Sequence, residues 1–190
     1  MTSDHTIHLD AANTRIGFGV RWLGVLRVRG HFAELEGTLR IPDGCVDQAE
    51  IAIDVMAASV RTGIGLRDHH LRSPQFLDAS RHPTISFRST RIERPNGVLV
   101  ISGVLTLRGL EREVRATCPV DYANGTGMSA LVRWCASLWV PRLPHRVGVA
   151  RGIDRLNPLL YAIGETVSVR ADVFVPATEL LPALLPALGP

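Results

Sequence analysis

Residues 14–32 read TRIGFGVRWLGVLRVRGHF, and their two-residue rhythm decides the fold class. Ile16, Phe18, Val20 and Trp22 fall on one side of an extended chain, with Arg15, Gly17, Gly19 and Arg21 on the other. After a break at Gly24 the rhythm resumes, setting Val28, Gly30 and Phe32 against Arg27, Arg29 and His31. Successive side chains of a strand point to opposite faces, so this stretch reads as a hairpin with one apolar and one polar face.

The same alternation runs outward along the chain. LEGTLRI ends at the turn signal Pro42-Asp43-Gly44, AEIAIDVMAAS sets Ile51, Ile53 and Val55 opposite Asp54, and TISFRST carries Ile85 and Phe87. An Asn96-Gly97 turn introduces GVLVISGVLTLRG. EVRATCPVDY, ALVRWCASLWV and ETVSVRADVFV complete about eight strands; in the last, Val167, Val169, Ala171, Val173 and Val175 share one face.

Eight strands with one apolar face each bury it by closing into a barrel or by stacking as two sheets. The barrel leaves no edge exposed, so the expected fold is all-β, an antiparallel barrel of about eight strands with a short helical insertion near its mouth. A barrel of that size either fills with its own side chains or holds one small ligand. Inward-facing Gly30, Gly103, Ala116 and Ala171 argue for a cavity, relief of crowding at barrel corners being their other use. The barrel domain is expected over residues 1–176. A Pro/Leu-rich tail follows at 177–190; its prolines forbid a long helix, and it packs on the barrel or a partner subunit, or is disordered.

Composition excludes several function classes. All 21 basic residues are arginine, 18 residues are acidic, and the net charge is only +3. The arginines are scattered and no aromatic ladder accompanies them, so no nucleic-acid partner is expected. Cys45, Cys118 and Cys135 are odd in number and form no C-x-x-C pair, which argues against a disulfide scaffold or a cysteine zinc site. No apolar run approaches about 18 residues, so no transmembrane segment is expected. The opening MTSDHTIHLD has neither a basic start nor an apolar stretch, and a cytoplasmic location is the expectation.

One segment breaks the rhythm: residues 66–83, LRDHHLRSPQFLDASRHP. A helical interruption over about 62–80 is predicted. Asp68 and Arg72, four apart, would pair on one turn, and Ser73-Pro74 reads as the cap and first-turn proline of a second short helix. Leu71, Phe76 and Leu77 would then point into the barrel mouth, making the segment a plug or lid. Adjacent His69 and His70 diverge by about 100° on a helix and cannot share a metal, and a serine ahead of proline is more often a cap than a nucleophile. No metal, cofactor or catalytic residue is therefore expected.

The stretch SVRTGIGLRDHHLRSPQFLDASRHPTISFRST, residues 59–90, resembles the signature of the YceI family. The matching positions are Ser59, Val60 and Thr62; then Arg67, Asp68, His70, Leu71, Arg72, Ser73, Phe76, Leu77 and Asp78; then His82, Pro83, Ile85, Phe87 and Ser89. GVLTLRG at 103–109 and VLRVRGHF at 25–32 are similar to further family stretches. The resemblance implies a lipocalin-like barrel with a helical element near its mouth, binding polyisoprenoids or other long-chain amphiphiles, often as a homodimer and often in the periplasm. Where the family usually has His-Ser in the first strand this chain has Asn13-Thr14, where it has a histidine at that strand's end the chain has Trp22, and its late acidic-aromatic stretch is RWCASL here.

The expected cavity lining is Ile16, Phe18, Val28, Phe32, Ile51, Ile53, Phe76, Phe87, Ile101, Leu105, Leu107, Val167 and Val169. Arg61, Arg67 and His70 are the candidates for an anionic or quinone head group at the mouth, internal pairing of the arginines with Asp68 or Asp78 being the alternative use. Burial contributes about 0.8 kcal/mol per methylene, so ten methylenes suffice for about micromolar affinity before ordering costs. The expected function is non-catalytic binding, sequestration or transport of a long-chain lipid or isoprenoid. An enzyme acting on such a lipid, or a ligand-free stress-response or interaction module, is the alternative.

Overall fold

A computed structural model describes residues 4–123, 131–148 and 163–176. The strands are β1 (His5–Asp10), β2 (Thr14–Trp22), β3 (Leu26–Phe32), β4 (Leu35–Ile41), β5 (Glu50–Met56), β6 (Val60–Arg61), β7 (Thr84–Glu93), β8 (Leu99–Leu107), β9 (Leu110–Cys118), β10 (Val120–Ala123), β11 (Leu131–Pro141) and β12 (Ile163–Pro176). Among the described residues a single α-helix, α1 (Gly65–Arg72), follows β6.

Pairing is antiparallel throughout. β1 lies on β4 from His5↔Ile41 to Asp10↔Glu36, and β2 lies on β3 from Ile16↔Phe32 to Trp22↔Leu26. The four are thus two long bent strands forming one hairpin. Hydrogen-bonded neighbours then run β4-β5-β7-β8-β9-β11-β12-β2-β3, and β3 continues into β4 through Ala33 and Glu34. That continuity closes the curled sheet into a barrel. β10 carries β9 onward past Pro119 to pair with β11, and β6 spans two residues, so the twelve assigned strands make eight staves.

Alternation places the apolar face inside, as read from the sequence. Far from α1 the interior is packed solid, with Leu39, Ile41, Leu99, Val132 and Val175 at 2% exposure or less. Under the helix Ala57, Val60, Leu77, Ala79 and Leu107 form a second, smaller core. The Asn96-Gly97 turn is present, with both residues in the left-handed region that type I′ hairpins require.

The 62–80 interruption differs from its reading. There is one helix, not two, and Ser73 closes α1 rather than opening another, its N–H donating to the His70 carbonyl at 3.1 Å. The chain then folds back: Leu77 N–H donates to Leu71 O and Ala79 N–H to Arg72 O, each at 3.0 Å, with Asp78 at φ 51° making the reversal. These bonds satisfy the carbonyls that a helix end leaves unpaired, which a second helix starting at Pro74 could not reach. Nor do Asp68 and Arg72 pair. The Asp68 carboxylate accepts from both the N–H and the hydroxyl of Thr62, ahead of the helix, while Arg72 donates to Val60 O at 3.1 Å. Two short-range donors outcompete one exposed ion pair on a helix surface.

The small inward residues do less for the cavity than expected. At Gly30 a Cβ would lie 2.4 Å from Phe18 Cζ, and at Gly103 one would lie 2.5 Å from Phe87 Cζ. The space above both glycines is filled by aromatic rings. Ala116 and Ala171 do border open volume. The 177–190 tail lies outside the described residues.

Candidate functional site

Above the packed base the barrel holds a cavity of about 590 Å³. Its wall is apolar, supplied by the inward positions of every stave, among them Ile16, Phe18, Val28, Phe32, Ile51, Ile53, Phe87, Ile101, Leu105, Leu107, Val167 and Val169. Phe76, Leu71 and Leu77 reach it from α1 and the turn behind it, so the interruption forms the cover over one end. This is the end where β2, β5, β8 and β11 finish and β3, β7, β9 and β12 begin.

Among the described residues the wall carries three basic side chains, Arg67, His70 and Arg142, and no carboxylate. All three sit at the covered end. Arg67 is held by Thr62, Nε donating to the hydroxyl at 2.8 Å and Nη2 to the carbonyl at 2.9 Å. His70 Nε2 lies 3.0 Å from Gln75 Oε1, and its ring meets the edge of Phe76 at a centroid distance of 4.9 Å. Arg61, also expected at the mouth, is not on the wall. β6 pairs Arg61 with His31 and Val60 with Phe32, and the alternation that turns Val60 inward turns Arg61 out to solvent.

Arg142 is the residue that the sequence reading missed. It follows β11, is 6% exposed, and is wrapped by backbone carbonyls: Nε donates to Gly164 O at 2.9 Å, Nη1 to Val147 O at 2.9 Å and Gly148 O at 3.2 Å, and Nη2 to Ile163 O at 3.0 Å. A guanidinium has five N–H donors, so these four bonds leave one on Nη2. No carboxylate of the described residues is within ion-pair distance; Glu165 acts on it only at longer range. Burial therefore pulls its pKa below the ordinary arginine value, Glu165 opposing, and the group stays a cation at any working pH. Its place could be found only from tertiary structure, because PRLPHR by itself reads as a surface loop.

The cover is fastened by buried polar groups. Arg108, in the β8–β9 turn, donates to Phe76 O and to Arg146 O at 2.9 Å, and its Nη2 lies 3.9 Å from the Asp78 carboxylate. Gly148 N–H donates to Gln75 O at 2.8 Å. His145, fully buried beside the same turn, has its pKa lowered by burial and by the nearby Arg112 charge, with backbone at Leu107 and Leu110 acting in the opposite sense. The Thr62 hydroxyl bond, more than any other influence, holds the Asp68 carboxyl below the usual range, so it anchors the start of α1 as an anion. Among the described residues no three histidine, cysteine or acidic side chains gather as a metal would require, and no helix is long and apolar enough to cross a membrane.

Fold and cavity together define a lipocalin-type barrel with an apolar interior and a helical cover. Residues 8–174 match the YceI-like domain, and the chain belongs to that family. A UPF0312 protein of Vibrio cholerae is 30% identical over 113 residues, a stretch covering 59% of this chain and 60% of the relative. Among solved structures, Burkholderia cenocepacia BcnA superposes with a TM-score of 0.73 at 18% identity, covering 88% of this chain and 99% of that one. A polyisoprenoid binding domain from Saccharophagus degradans, described as implicated in plant cell wall breakdown, superposes with a TM-score of 0.65 at 16% identity over 92% of this chain and 99% of its own. At such identities these two structures speak to the fold.

Proposed function

We propose that the protein binds one long-chain amphiphile, an isoprenoid-like lipid, with its tail in the barrel and an oxygen-rich or anionic head at Arg67, His70 and Arg142. The observation that carries this is the distribution of chemistry around the cavity: hydrocarbon on the wall, three basic groups at the covered end and no carboxylate beside them. A volume of about 590 Å³ falls within the range of small-molecule sites, about 300–1,000 Å³. Tail burial supplies the affinity, and charge-assisted hydrogen bonds orient the head. The likeness to a polyisoprenoid binding domain supports the choice of ligand class.

Binding rather than turnover is proposed because the wall presents no acid–base pair among the described residues. A reaction on the lipid would need a second titratable group facing His70 across the head. Carriage or sequestration follows, as one protein holding one lipid out of water.

Native mass spectrometry of the protein purified without detergent tests the reading. A co-purified lipid at one per chain, displaced by an added polyprenyl phosphate, is the expected result. A protein that carries nothing and does not take up polyprenyl phosphate, polyprenol or isoprenoid quinone overturns it.

A further inference from the structure

The β2–β3 turn holds three apolar side chains in water. Leu23 is 53% exposed, Val25 85% and Leu26 52%. Leu23 also has φ 53°, the left-handed region that a leucine enters at a cost and asparagine or glycine enters readily. The left-handed pair Leu23-Gly24 makes the hairpin turn, but the turn calls for no leucine, and the exposure of the three side chains serves no packing. β6 runs antiparallel to β3, so the chain past Arg61 heads toward this turn, and the start of α1 adds exposed Ile64 and Leu66. All five residues ring the covered end of the barrel.

Behind the tip stands a set of unopposed charges. Arg21 is directly across from Arg27 on the outer face, and Arg29 follows two residues on; all three are exposed, and none has an ion-pair partner among the described residues. Like charges facing each other across a strand pair are unfavourable unless something negative covers them. A second copy of the chain fits poorly, since a two-fold contact would set the same arginines against each other. An apolar tip backed by arginines is the pattern of a surface that sits in the head-group layer of an anionic bilayer.

We propose that the covered end of the barrel docks on an anionic lipid surface, with Leu23, Val25 and Leu26 entering the head-group layer and Arg21, Arg27 and Arg29 facing its phosphates. Docking in this pose sets the cavity mouth against the membrane from which a lipid would be taken or to which it would be delivered. That purpose rests on the proposed function, whereas the surface itself does not.

Sedimentation of the full chain with vesicles of phosphatidylcholine, alone and mixed with phosphatidylglycerol, is the test. The protein is expected to pellet with the mixed vesicles at 0.1 M salt and to be released near 1 M, where the screening length falls to about 3 Å. Val25→Ser with Leu26→Ser should weaken binding about tenfold or more. Arg21→Gln and Arg27→Gln should each weaken it about fivefold. Leu23→Asn should separate two properties, raising Tm by relieving the backbone while weakening vesicle binding. Failure to pellet with phosphatidylglycerol vesicles, or variants that bind as the parent does, would overturn the proposal. So would a parent dimer that V25S/L26S converts to a monomer by sedimentation equilibrium, which would give the face to a second copy. Vesicle binding with no cargo in parent or variant would leave docking standing and remove the lipid-binding reading instead.

Discussion

The ring of Phe18 lies against Gly30, its cross-strand partner, so closely that no side chain fits between them. Phe87 covers Gly103 from a diagonal position, since Gly103 is paired with Ser89 and Phe87 with Leu105. Each ring thereby leans along the wall rather than across the cavity. Gly30→Ala should push Phe18 inward and, because Arg61 O also stands 2.8 Å from the added methyl, should cost about 1–3 kcal/mol in denaturant unfolding. Bound lipid should fall in parallel.

Arg142 joins the end of β11 to the start of β12 through Gly164 and Ile163, and to the cover through Val147 and Gly148. Arg142→Met keeps much of the volume but strands four carbonyls. The expected loss is about 3 kcal/mol or more in unfolding free energy. Arg67→Gln, which leaves those bonds intact, should reduce affinity for a polyprenyl phosphate more than for the matching alcohol, as measured by displacement of a fluorescent lipid.

Ala136 and Ala171 face each other across β11 and β12 and both border the cavity. Ala136→Phe with Ala171→Phe should fill the tube without disturbing the pairing. Excluding about three methylenes costs about 2.4 kcal/mol, roughly a fiftyfold weaker lipid. Unchanged affinity would place the ligand elsewhere.

His145 makes stability depend on pH below neutrality. Its folded pKa lies below the unfolded value near 6.5, so on acidification the unfolded chain takes up the proton first. Its contribution is complete above about pH 6.5 and is lost as the pH falls through that value toward the folded pKa. Denaturant melts between pH 7.5 and 5 should show the decline, and His145→Gln should flatten it. Asp68 and Asp172, both lowered, add a second loss at more acid pH.

What the sequence revealed and what it hid divide along a physical line. Strand alternation is local and repeats along each stave, so the barrel and its apolar wall could be read residue by residue; Val167 and Val169 needed no partner to be placed inward. Side chains whose role depends on distant backbone could not be read. Arg142 is defined by carbonyls up to 22 residues away, and inward glycines read as open volume or as relief of crowding alike, because nothing local says that a ring will lie over them. Short-range polar competition hid a third feature: Asp68 has Thr62 six residues before it and Arg72 four residues after it, and the helical spacing to Arg72 points to the partner it does not take.

The barrel circuit has two joints of a different kind. β1 passes into β2 through residues 11–13 and β3 into β4 through Ala33 and Glu34, so in each of these two staves one half pairs with one partner and the next half with another. A cylinder riveted covalently at two points cannot unzip at either by fraying. A circular permutant with new termini at 33–34 would keep the hoop whole, because the unbroken β1–β2 stave still bridges β4 and β3; a chain cut at both joints would become an open ribbon.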